Sequence, residues 1–238
     1  MDFAIQVGFY AIGIPLELLA IAAVLRGGIR RYPFVFAYVL AVFLTTVTEM
    51  QIAIEFHRGN TSVGDRMSDI YYRNEMILQG TIFATVISLI YVASDKLRSK
   101  RILRLALIAG ALLVVAISSY VHYRPVGPKG LWMTPLAMEL KFGSAILNLV
   151  LWALLIQAKE KNRTVLIVSG GLGIMFAGGA IGEAIRNIAI RHKSHLLNLA
   201  GGLIGMMADL TLLFILWQTF RKARAAEPAL SLQKESRP

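Results

Sequence analysis

The chain has 238 residues, of which 56% are hydrophobic and only 16% charged, with a mean hydropathy of +0.62. Soluble domains usually carry about 25% charged residues, so a soluble globular fold is excluded. The absence of cysteine removes disulfides, thiolate metal sites and cysteine nucleophiles. A formal charge of +11 in such an apolar chain points to basic loops meeting anionic headgroups, not to nucleic acid.

About 20 consecutive apolar residues span the hydrocarbon layer. Seven such runs predict helices over 4–25, 33–56, 74–94, 103–122, 132–157, 165–190 and 196–219. The expected fold is therefore an all-α, seven-helix transmembrane domain over 1–224, followed by a polar, disordered cytoplasmic tail over 225–238. The opening MDFAIQ has no basic stretch, so the first run is expected to stay as a helix and not to be cleaved. Only the connection 57–73 is long enough to have a shape of its own.

Lys and Arg set the orientation. Sixteen lie in the odd connections and C-terminus, eight in the even connections and their helix ends, and Lys141 within a span. The excess places the N-terminus outside and the C-terminus in the cytoplasm of the plasma membrane, in a multi-pass arrangement.

Helix 1 carries a stripe of Gln6, Tyr10, Gly13 and Glu17, with Pro15 expected to bend it just before the acid. Helix 2 holds Thr45, Thr46, Thr48 and Glu49. Helix 3 follows YYRNE with Gln79, Thr81, Thr85 and Ser88. Helix 4 is bare of polar groups until Ser118, Ser119 and His122. Helix 5 has Glu139, Lys141, Ser144 and Asn148. Helix 6 combines six glycines with Glu183 and Arg186. Helix 7 runs Asn198, Gly202, Gly205 and Asp209 at steps of four, three and four. Helices 1–3 and 5–7 share a faint common order, which raises a parallel three-plus-one-plus-three repeat with helix 4 as linker.

The chemistry is expected among the ionisable residues inside the spans: Glu17, Glu49, Glu139, Lys141, Glu183, Arg186 and Asp209. Each charge at mid-bilayer costs about 2.5–3.5 kcal/mol on insertion scales, so all should face inward. Braces such as Glu183 with Arg186 are the simplest use. Five carboxylates against two cations leave acids that should be protonated or hold a cation or ligand amine. The leading expectation is a small-solute or proton/cation transporter whose partners are the bilayer and its polar solute or ion. A receptor-like ligand sensor signalling through its cytoplasmic loops is the alternative.

His57, His122, His192 and His195 all fall at the expected outer face. With Glu55, Asp65 and Asp69 they raise a metal site, hence an outer-face metal-dependent hydrolase, although no hydrolase motif is present. The glycines of helix 6 predict close packing on helix 7 through Gly201, Gly202 and Gly205.

The count and outside N-terminus are similar to the heptahelical receptors and rhodopsins in topology. A retinal cofactor needs a lysine in helix 7, where Asp209 is the only charge; Lys141 lies in helix 5. The small sugar transporters of three-plus-one-plus-three helices share the count. They carry prolines in four core helices, whereas helix 6 has none here and helix 2 has only Pro33 in its first turn.

Overall fold

The computed structural model describes residues 3–57, 63–94, 100–122, 133–157 and 162–235. Within these, side chains at 3–6, 56–57, 63–69, 222–235 and several positions between 100 and 134 lie outside the description. The regular elements among the described residues are all helices: α1 (Phe3–Gly27), α2 (Pro33–His57), α3 (Val63–Ala93), α4 (Lys100–His122), α5 (Met133–Gln157), α6 (Arg163–His192) and α7 (His195–Glu235). Six stretches are long and apolar enough to cross a bilayer: Val7–Gly27, Pro33–Glu55, Ile70–Ala93, Pro135–Gln157, Arg163–His192 and His195–Arg221. This is compatible with a multi-pass membrane protein. α4, whose side chains are described only in part, is not among the six.

The helices begin and stop where local chemistry dictates. α1 runs through Pro15 and ends at the Gly27–Gly28 pair, where Gly28 N–H donates to Val24 O (2.8 Å) and Tyr32 N–H to Gly28 O (2.8 Å). Pro33 opens α2, a position where its missing N–H costs nothing. Asn162 Oδ1 accepts from Val165 N–H at the start of α6, and Ser194 Oγ accepts from Leu197 N–H at the start of α7. Between them Lys193 takes a left-handed φ of 49°, and Ser194 N–H closes back on Ala189 O. That pairing is the usual left-handed helix stop, here without glycine. α3 begins at Val63, about ten residues earlier than the apolar run predicts. The segment VGDRMSDIYY is polar but has no helix breaker beyond Gly64, and Asp65 suits a helix start. Most of the connection 57–73 is therefore helix.

The chain forms two compact units, residues 1–39 with 166–238, and residues 40–165. The division does not fall at helix 4, as the faint repeat implies, but within α2 and at the start of α6.

In the first unit α1 packs on α7. Leu212, Leu216, Phe220, Val24, Val35 and Leu172 are fully enclosed there. Phe220 fills the α1–α2 turn. A Cβ on Gly28 would strike its ring and one on Gly27 its carbonyl oxygen (2.8 Å), and Tyr32 meets the ring edge-on at 5.6 Å. α6 lies on α7 through glycine. A Cβ on Gly182 would fall 2.5 Å from Gly201 O and 3.2 Å from Gly205 N; one on Gly178 would collide with the Ala208 side chain. A Cβ on Gly171 would touch Leu212 (3.0 Å). Positions 171, 178 and 182 thus share a face that meets 201, 205, 208 and 212. Gly202 has open space beside it and takes no part.

In the second unit α3 packs on α5, with α4 also against α5. Phe83, Leu136 and Leu140 form its core with Met76, Ile87 and Leu147, and Gly143 makes room for the Phe83 ring. Arg104 stacks on Tyr91, 3.6 Å from the ring centroid, and donates to Tyr91 O (3.3 Å).

The glycine face yields a direct check. Gly182→Val forces two backbones apart and should cost about 1–3 kcal/mol. Gly202→Ala should hold or raise stability, since the added methyl is unopposed and alanine favours helix. Thermal unfolding in detergent distinguishes the two.

Candidate functional site

The first unit brings four polar or polarisable side chains from four helices towards one place. Glu17 of α1 is the central residue of the Val7–Gly27 span and only 3% exposed. Asp209 of α7 lies one residue past the centre of His195–Arg221. Tyr38 of α2, 4% exposed, sits within electrostatic reach of both carboxylates. Its hydroxyl donates to Met175 Sδ of α6 at 3.6 Å, a weak acceptor. Gly13 keeps the wall beside Glu17 thin: a Cβ there would lie 3.9 Å from Glu17 Oε1. A buried phenol within electrostatic reach of two acids is a group that can take part in proton or cation chemistry with them.

The seven ionisable residues do not all face inward. Glu17 is buried, and Glu49, Lys141 and Glu183 are half-buried, but Glu139, Arg186 and Asp209 are exposed. The reason differs by position. Glu183 and Arg186 sit one turn apart, with a carboxylate–guanidinium distance of 3.8 Å. They lie near the end of their span, where the arginine stem can reach the interface, and its Cγ covers Gly201. Asp209 follows Ala208, which is pressed against Gly178, so its side chain emerges at the edge of the packed face. Glu17 and Asp209 belong with Glu183 and Arg186 to the first unit, and Glu49, Glu139 and Lys141 to the second.

Four threonines of α2 and α3 donate to carbonyls of their own helices. Thr45 donates to Val42 O, Thr48 to Leu44 O, Thr81 to Ile77 O and Thr85 to Thr81 O. Ser144 likewise donates to Leu140 O at 2.7 Å. Such bonds satisfy a hydroxyl in hydrocarbon without a neighbour.

Among the described residues no group of three His, Asp or Glu is placed to hold a metal. His192 and His195 are exposed at the α6–α7 turn. The side chains of His57 and His122, and of Asp65 and Asp69, lie outside the described residues.

A second cluster, in the other unit, was not grouped by the sequence. Asn74 Nδ2 donates to Glu49 Oε1 (3.2 Å), and Gln79 Nε2 donates to Glu75 Oε1 (2.9 Å). Tyr38 and Met175 were also missed. A tyrosine inside a span was the available signal for the first. The methionine gave none.

No protein family, curated protein or solved structure matches the chain.

Tyr38→Phe removes one weak bond and should cost about 1 kcal/mol or less in stability. A melting temperature close to the parent's, measured in detergent, frees this variant to report on chemistry.

Proposed function

We propose that the protein is a small multi-pass transporter of the plasma membrane that moves a proton, or a small cationic or polar solute, through its mid-membrane acids. The observation that carries this reading is Glu17, buried at the centre of its span beside Tyr38 and within the same compact unit as Asp209. A carboxylic acid held in hydrocarbon is costly, and such residues mark ion and proton pathways. In this reading Asp209, near the centre of its own span, is the second acid of the relay. Tyr38 passes it, and Glu17 holds it at the midpoint. Seven membrane crossings, with α4 as the seventh, complete the topology, N-terminus outside and C-terminus cytoplasmic. The Lys and Arg asymmetry supports that orientation.

Proteoliposomes holding a trapped pH dye test the mechanism under a pH jump, with and without a membrane potential. Protein-dependent proton movement is expected, abolished in Asp209→Asn and Glu17→Gln and slowed in Tyr38→Phe. Parent-like flux in both acid variants would sink the relay.

Topology is read separately, because the chain has no cysteine of its own. In intact cells an impermeant thiol reagent should label Asp2→Cys and spare Ser231→Cys. The reverse pattern would overturn the orientation.

A further inference from the structure

The second unit contains an acidic cluster that the mid-membrane relay does not use. Glu49 of α2 and Glu75 of α3 lie close enough to act on each other electrostatically. Each carboxylate accepts one bond from a neutral amide, Asn74 Nδ2 on Glu49 and Gln79 Nε2 on Glu75. Among the described residues no lysine, arginine or histidine forms an ion pair with either acid.

Gln79 supplies the independent sign. The residue is 6% exposed, and its Oε1 is buried with no hydrogen-bond donor. The amide head is fixed at the cluster by its bond to Glu75. Turning it over would set Oε1 against the carboxylate oxygen, so the present orientation is the favourable one. A buried carbonyl-type oxygen left without a partner costs about 1–3 kcal/mol. The cluster thus offers two carboxylates and one uncommitted amide oxygen, all acceptors, and no positive charge.

We propose that Glu49, Glu75 and Gln79 Oε1 form a binding site for one divalent hard cation of the Ca²⁺ type. Oxygen-only ligands select hard ions. Two carboxylates and one divalent ion are neutral together, and neutrality matters most where water is scarce. Ca²⁺ accepts irregular shells of six to eight oxygens, both carboxylate modes and amide carbonyls included, and water can complete the shell. Glu75 lies six residues and Gln79 ten residues into the Ile70–Ala93 span, so an ion can enter from that end. Asn74 is a positioning residue, holding Glu49 by its Oε1. The site joins α2 to α3, and its ion would fasten the two helices together whether or not the protein transports anything.

The test uses the full-length protein in detergent, stripped of divalent ions, with Ca²⁺ itself as probe. Equilibrium binding of radioactive Ca²⁺ should saturate at one ion per chain, and the melting temperature should rise with Ca²⁺ concentration. Glu75→Gln should lose both effects. Gln79→Leu, close in size, should weaken binding by about tenfold or more while removing the orphan acceptor. Glu227→Gln, an acid of α7 in the other compact unit, should bind as the parent does. Absence of saturable Ca²⁺ binding by the parent at millimolar concentration overturns the proposal, as does unchanged binding in Gln79→Leu. Equal stabilisation by Na⁺ at the same concentrations overturns the divalent assignment. Should Glu75→Gln not fold, the parent and Gln79→Leu decide the matter between them.

Discussion

Gly182 and Gly201 let two helix backbones come together, and the first compact unit depends on that approach. Lipid tails are as apolar as leucine, so helices in a membrane gain little from merely burying apolar side chains. They associate through dispersion contact, and small residues let those contacts reach the backbone. Once α6 lies against α7 at this distance, the rest of the site has little freedom. Ala208 is wedged at Gly178, which turns Asp209 to the edge, and Met175 is presented at the depth of the Tyr38 hydroxyl. The mid-membrane acids owe their placement to glycines that carry no chemistry themselves.

A second constraint is the need to satisfy every polar group without water. The hydroxyls meet it locally, by donating to their own helix carbonyls. Arg104 meets it in part, by stacking on Tyr91 and donating from one guanidinium nitrogen to its carbonyl. Carboxylates have no proton to give a helix carbonyl. They must find donors from elsewhere, as Glu49 does from Asn74, or sit where charge is compensated, as Glu183 does beside Arg186. This is why the functional reading narrows to acids and away from the more numerous threonines.

The helices were legible because a long apolar run has one structural meaning, and every such run holds a helix. The start of α3 was not, because a polar stretch that is helical beyond the apolar window leaves no trace in hydropathy. Glu17 was recognisable from position alone: an acid at the centre of a span is rare. The facing of Glu139, Arg186 and Asp209 was not, since 3.6-residue periodicity gives relative angles on one helix but not which side meets a neighbour. For the same reason Asn74, Glu75 and Gln79 could not be joined to Glu49. They lie about one span away in sequence, and their pairing is fixed only when α2 and α3 lie side by side.

Phe220 has a mechanical consequence. With its ring under Gly28, its carbonyl against Gly27 and its edge on Tyr32, it bolts one end of α7 to the hairpin of α1 and α2. A body clamped in this way transmits torque: rotation of α7 about its axis must carry the hairpin with it or shear the aromatic contact. Glu17, Tyr38 and Asp209 all belong to that clamped body, so their spacing is insulated from tilting of the helices as a group. The element of the first unit left outside the clamp is α6, held against α7 by the contacts of Gly171, Gly178 and Gly182.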